Sequence, residues 1–282
     1  MVNRIEADKV LQEWTESAPY WEKHSATLRT IFAPVTLALI EDAGIVKGRS
    51  VLDVAGGPGE PSLTIAEAVG PTGSVMCTDA VAEMVEAAER EAHRRGITNV
   101  SFRKCMADAL PFGDNSFDVV VSRLGVMFFP DTVTSLREML RVTRKGGALA
   151  LAVWQKSEYN PFLHVVTEVM SRYVETPATD PDAPGAFRFA EPGKLASILT
   201  EAGALHVRER FFNFHIEARI SPDEFWELRS ATSAMLREKL AGLSDEQANR
   251  VGQEVREAAR RFFPNGYMNF PAQMIIVTVG KP

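Results

Sequence analysis

The sequence predicts an α/β protein, built on a doubly wound, mostly parallel seven-stranded sheet with helical insertions. Three observations lead there. Short β-branched and aliphatic runs alternate with helix-period segments, as parallel sheets with crossover helices require. The first of these runs, Val51-Leu-Asp-Val, breaks into Ala55-Gly-Gly-Pro-Gly59, the form of a first strand turning into a nucleotide-binding helix. The next apolar run ends in Asp79, one β-α-β unit onward, where a carboxylate can accept hydrogen bonds from ribose hydroxyls.

The elements follow in order. Residues from about 4 to 45 read as helices broken near Pro19 and Pro34, the second stopping at Ala43-Gly44. Strands are expected at 50–54, 74–78, 100–104, 117–122 and 148–154, with helices at 61–69, 82–96 and 133–143 between them. Gly70-Pro-Thr-Gly73 and Lys145-Gly-Gly147 read as tight turns back into strands. Beyond Trp154 come a helix at 161–173, an exposed proline-rich loop at 176–185, a helix at 192–202 and a strand at 207–216. Helices at 222–241 and 245–262 precede a last strand at 273–279. The expected organisation is a helical cap (1–45), a ligand-binding core (46–154), and a C-terminal part of the sheet (155–282). Insertions near 159–190 and 221–263 are expected to lie over the ligand face as lids.

At 282 residues and 45% hydrophobic, the chain can bury a sizeable core. A formal charge of −6, with Lys and Arg scattered among acids, gives no electrostatic footprint for nucleic acid. Cys77 and Cys105 form no CxxC pair and read as small core residues on strands; the five histidines show no metal-ligand spacing, so no metal is expected. The charged amino terminus has no signal-peptide core and no segment reaches membrane-spanning length. A cytoplasmic protein without a membrane partner is expected. Oligomeric state stays open.

A dinucleotide fingerprint would place Gly or Ala three residues after Gly59, but Ser62 stands there, which weakens a nicotinamide reading. Three motifs in order, Asp53 to Gly59, Ala109-Leu-Pro-Phe-Gly-Asp-Asn-Ser-Phe-Asp118, and Leu136-Arg-Glu-Met-Leu-Arg-Val-Thr-Arg-Lys-Gly-Gly147, carry a family likeness. The chain resembles the class I S-adenosylmethionine-dependent methyltransferases, a Rossmann-like fold, and within them the ubiquinone and menaquinone biosynthesis C-methyltransferases. The resemblance runs from about Trp14 to Trp154. It implies S-adenosylmethionine as cofactor, a small-molecule methyl acceptor, and a backbone cradle at Ala55, Gly56, Gly57 and Gly59. It implies further that Asp79 holds the ribose, that Ala80 and Met84 flank the adenine, and that carbonyls of Ser122 and Arg123 face the methionine amine and sulfonium. Trp21 takes the place of a tyrosine on the closing helix.

Two positions depart from the pattern. Met106 stands where relatives carry Asp or Asn for the adenine amino group. Either the Ala107 backbone reads the adenine over Met106, or the loop shifts to bring Asp108 in. The usual Lys-Pro-Gly-Gly turn is Arg144-Lys-Gly-Gly147. Asp53 either touches the cofactor or satisfies backbone N–H groups of the glycine turn. Asp79 reads as a ribose ligand over a simple helix cap.

His164 and His24 lie on segments expected to approach the active face and are the candidate general bases, with Glu22 and Tyr159 behind them. Asn160-Pro-Phe162 resembles part of an amino-methyltransferase motif, but reads as an ordinary helix start. The late aromatics, Phe211 to Phe270, read mostly as core, a few lining an apolar acceptor pocket. The expected function is methyl transfer to a small, partly apolar or aromatic acceptor at oxygen, carbon or nitrogen. The alternative is a non-catalytic S-adenosylmethionine-binding regulatory protein of the same fold.

Overall fold

The computed structural model describes residues 4–175 and 180–281, with side chains from residue 7. The first four residues of the proline-rich loop, 176–179, lie outside the described residues. Among the described residues, seven strands form one sheet: β1 (Ser50–Val54), β2 (Ser74–Asp79), β3 (Val100–Lys104), β4 (Phe117–Arg123), β5 (Thr143–Trp154), β6 (Arg208–Ala218) and β7 (Met268–Gly280). Their order is β3-β2-β1-β4-β5-β7-β6. All neighbours are parallel except β7, which runs antiparallel to both β5 and β6.

Among the described residues, ten α-helices accompany the sheet: α1 (Arg4–Lys23), α2 (Ser25–Asp42), α3 (Ser62–Val69), α4 (Ala82–Arg95), α5 (Thr132–Val142), α6 (Pro161–Met170), α7 (Lys194–Glu201), α8 (Pro222–Thr232), α9 (Ala234–Ala241) and α10 (Asp245–Ala259). The central strands read as near-continuous apolar runs because helices cover them on both faces. Leu52 pairs with Met76 on one side and Val120 on the other, and both Leu52 and Val120 are fully buried. β3 is an edge strand, and its Ser101, Arg103 and Lys104 are exposed accordingly. The main buried cluster runs from Leu28 to Val279 and crosses both expected boundaries, at 45/46 and at 154/155.

Several elements differ from expectation. The first helical segment does not break at Pro19 or Pro34, which lie inside α1 and α2; the break is at His24. A proline in a helix interior forfeits a hydrogen bond and crowds the preceding turn. In α2 this is offset by seven buried residues, from Leu28 to Leu39. Lys145-Gly-Gly147 is not a free turn but part of β5, since Gly146 N–H donates to Lys281 O (2.7 Å) and Lys281 N–H to Gly147 O (2.9 Å). The expected helix at 222–241 is two helices, parted at Ser233, whose side chain caps α9. Cys77 is a buried strand residue as expected, whereas Cys105 follows β3 and is only partly buried.

The late aromatics form their own cluster. Phe270 stacks on Phe225 (5.0 Å between centroids) and on Phe262 (4.4 Å), with Phe162 and Phe263 edge-on to it.

From β1 the chain winds through β2 to β3 on one side, and from β4 to β5 on the other. The carboxyl ends of β1 and β4 therefore border a crevice at the switch point, where open α/β sheets bind ligands.

Candidate functional site

That crevice is a cavity enclosing about 1220 Å³ of empty space, including its open mouth. Its floor is the turn after β1. Ala55 (φ 60°) and Gly57 (φ 56°) both take the left-handed conformation, which glycine adopts without strain. A Cβ on Gly57 would meet nothing within 4 Å and so would project into free space. Gly56 is different: a Cβ there would sit 2.7 Å from Cys77 Sγ and 2.8 Å from Asp53 Oδ2. The two glycines serve opposite sides of the same turn, Gly57 leaving room for a ligand and Gly56 letting the turn sit on β1 and β2.

Asp79 ends β2 at the cavity wall. Its Oδ2 accepts from Gly57 N–H and its Oδ1 from Val81 N–H, each at 3.0 Å. It is thus both a brace for the turn and a cap for α4, and burial raises its pKa while those backbone bonds pull it down. Each carboxylate oxygen has two lone-pair sites, so the cap and ligand roles are compatible.

Asp53 lies beneath the turn, fully buried. Ser62 Oγ donates to its Oδ2 at 2.6 Å, and its Oδ1 has no partner. Burial pushes its pKa up to about 7, against the Ser62 hydrogen bond and the Arg123 charge.

Of the residues singled out in the sequence, the fold brings Trp21, Ala55, Gly56, Gly57, Asp79, Ala80, Met84, Met106, Ala107, Asp108 and Arg123 together on the cavity wall. Asp53, Gly59 and Ser122 stand just behind it. Gly59 (φ 111°) packs on Leu63 and Ala88, and Ser122 Oγ, buried without a partner, lies 2.8 Å from where a Gly125 Cβ would sit.

The two candidate bases are not on the wall. His164 is about half exposed on α6, bonded to Ser157 Oγ at 3.2 Å. His24 immediately precedes α2, beside the lining residue Ser25, and makes no capping hydrogen bond; its Nε2 is buried without a partner, and burial lowers its pKa, favouring the neutral ring. Glu22 is held by Arg90 in a bidentate pair, and Tyr159 is exposed at a separate surface groove. Asn160 is a structural helix start, its side-chain amide bonded to backbone of Gln155, Lys156 and Gln273.

α1 forms the roof. Ala7, Val10, Leu11, Trp14 and Trp21 line the cavity, and Ala18 on the same face packs on Val81 and Met84 of the α4 start. These positions recur at helical spacing, so the stripe was readable as an amphipathic face. Trp14 stands edge-on to Trp21 (5.4 Å) and to Phe128 (5.0 Å), an aromatic roof of which only Trp21 was singled out beforehand. Phe128 and Phe129, after β4, carry no comparable periodic signal. Among the described residues, the insertions at 159–190 and 221–263 supply no lining residue. They act at one remove, α8 accepting Trp21 Nε1–H at Thr232 O (3.0 Å) and Arg237 of α9 donating to Ser17 Oγ (2.7 Å). None of the late aromatics lines the cavity either.

The model of the ubiE/COQ5 methyltransferase family matches residues 37–175, which hold the glycine turn, Asp79 and the segment after β4. That span is just under half of the chain, and over it the sequence resembles the ubiE/COQ5 methyltransferase family. An uncharacterized protein of Mycobacterium tuberculosis is 40% identical over 124 residues, 44% of each chain. The ubiquinone/menaquinone biosynthesis C-methyltransferase UbiE of Hahella chejuensis is 38% identical over 133 residues, 47% of this chain and 53% of that one. The chain thus matches about half the length of these curated relatives. The YcgJ protein of Bacillus subtilis has the same fold, with a TM-score of 0.55 and 23% identity over 87% of this chain and 97% of its own.

The likeness to the ubiE/COQ5 family implies S-adenosylmethionine, and the site fits it. Gly57 opens onto free space, Asp79 presents a carboxylate, and Met84 and Met106 both line the wall. Among the described residues no helix is long and apolar enough to cross a membrane, and no His/Cys/Asp/Glu cluster is arranged to hold a metal.

Proposed function

We propose that the protein is an S-adenosylmethionine-dependent methyltransferase acting on a small, largely apolar acceptor. The observation that carries this reading is the make-up of one cavity. Polar and glycine backbone groups at the carboxyl ends of β1 and β2 share its wall with Val10, Leu11, Trp14, Leu28, Phe32 and Phe128. Small-molecule sites have this character, mostly apolar with a few placed polar groups.

When bound, the cofactor supplies a methyl group made electrophilic by its sulfonium. In this reading the chain does the positioning. Gly57 admits the ligand against the turn, Asp79 accepts from the ribose hydroxyls, and Ala80 and Met84 flank the adenine on one side, with Met106, Ala107 and Asp108 on the other. The aromatic roof of α1 excludes water and fixes the acceptor in line, a contribution that can dominate such a transfer.

The titratable side chains on the wall are Glu60, Asp79, Cys105, Asp108 and Arg123, with no histidine among them. This supports an acceptor that is already nucleophilic, or one whose proton leaves through water past neutral His24. Residues 1–45 then serve as cap, and the 221–263 insertion as its outer support.

Titration calorimetry of the purified chain with S-adenosylmethionine and with S-adenosylhomocysteine tests the reading. Saturable binding of both, weakened in Asp79→Ala, is expected; no binding of either overturns it.

A further inference from the structure

Arg123, the last residue of β4, carries a buried guanidinium whose hydrogen bonds within the protein go to neutral oxygens. Nη1 donates to Thr36 Oγ1 (2.7 Å) and, at the limit of contact, to Phe32 O (3.5 Å); Nη2 donates to Glu60 O (2.9 Å). The Phe32 ring lies 5.5 Å away beneath the charge. A guanidinium has five N–H donors, so these bonds leave donors over.

Among the described residues no carboxylate lies within ion-pair distance. The two carboxylates whose charge reaches it are engaged elsewhere, Glu60 with Arg95 (2.6 Å) and Thr64 (2.7 Å), and Asp53 with Ser62 (2.6 Å). Yet Arg123, 9% exposed, is one of the residues that line the cavity. A cation taken out of water with no carboxylate in contact is costly unless an anion arrives to meet it.

We propose that the Arg123 side chain recognises the carboxylate of the amino-acid half of the cofactor, using the N–H groups its protein contacts leave free. This rests on the cofactor reading above and deepens it. Sequence resemblance assigned position 123 a backbone role only. The same side chain ties α2 to the glycine turn through Thr36 and Glu60, so carboxylate binding would draw the cap onto the cradle.

The test is a ligand-by-protein cycle read by calorimetry. S-adenosylhomocysteine, its decarboxylated analogue and 5′-methylthioadenosine are titrated into the wild-type protein and into Arg123→Met, with thermal unfolding run on each. The wild type should prefer S-adenosylhomocysteine over the decarboxylated analogue by about 10- to 100-fold, as befits a charge-assisted hydrogen bond. Arg123→Met should abolish that preference while 5′-methylthioadenosine binds within about twofold of wild type. Arg123→Lys, which keeps the charge where methionine is not tolerated, should retain a reduced preference.

A wild type indifferent to the carboxylate, a variant that keeps the full preference, or an equal weakening of all three ligands overturns the proposal. The last outcome would mark Arg123 as a structural tether alone. Failure of the wild type to bind any of the three ligands is instead the failure of the cofactor reading.

Discussion

Asp79 Oδ2 and the backbone N–H of Gly57 are 3.0 Å apart, so the carboxylate at the end of β2 holds the glycine turn at the end of β1. Asp79 also caps the start of α4 at Val81. Replacing it therefore does more than remove a ligand group. Asp79→Ala should lower unfolding stability by about 1 kcal/mol through the lost cap and weaken S-adenosylhomocysteine binding by more than tenfold. Asp79→Asn retains a side-chain acceptor and should fall between. Urea unfolding and calorimetry read the two effects separately, and a variant that changes neither would remove Asp79 from the site.

The glycines at 56 and 57 should respond oppositely. Gly57→Val projects into free space, so the protein should fold, at about 1–2 kcal/mol for the left-handed backbone, yet no longer bind cofactor. Gly56→Ala drives a methyl into Cys77 and Asp53 and should unfold at markedly lower temperature. Thermal melts with and without S-adenosylhomocysteine distinguish these outcomes. A ligand-induced stabilisation of Gly57→Val would contradict the cradle.

Asp53 makes stability depend on pH in an unusual direction for a carboxylate. Its folded pKa stands near 7 against an ordinary 3.8, because burial disfavours the charged form. The folded chain keeps this proton where the unfolded chain has lost it, so the associated stability is complete below about pH 4 and is lost as the pH climbs through 7. Asp53→Asn removes the titration. The stability difference between variant and wild type should shift in favour of the variant by on the order of 2–4 kcal/mol between pH 4 and pH 8. Parallel pH curves for the two proteins would show that Asp53 is charged throughout.

Trp21→Phe keeps the ring in the roof but loses the bond to Thr232 O. A loss of about 1 kcal/mol is expected for one such hydrogen bond, with faster amide exchange along α1 and a faster off-rate for bound S-adenosylhomocysteine. Unchanged exchange in α1 would mean that the roof is held by its apolar contacts alone.

The cradle was legible in the sequence because its determinants are local: an apolar strand, a glycine turn, and a carboxylate one unit later. The less legible parts depend on distant partners. Lys145-Gly-Gly147 has turn chemistry, yet Lys281, at the far end of the chain, draws it into β5. The last strand, expected at 273–279, begins at Met268 and passes through Pro271; at that point β7 pairs only with β6, since its ladder with β5 ends at Trp154 and Met274. Proline is tolerated where one edge of a strand is free. The place of His164 depended on where α6 settles after β5, which its own sequence does not state. The aromatic roof was half legible: Ala7, Val10, Leu11, Trp14 and Trp21 share a helical face, but nothing local says what that face covers.

Thr232 and Arg237 hold the roof from a segment that has no surface in the cavity. Substitutions there can tilt or loosen α1 while every atom of the cradle stays in place. The fold thereby separates two kinds of heritable change: the 221–263 insertion can drift to admit a wider or narrower acceptor, and the turn at 55–59 need not change. A laboratory search for altered acceptor range would do well to randomise the faces of α8 and α9 that meet α1, and leave the pocket wall untouched.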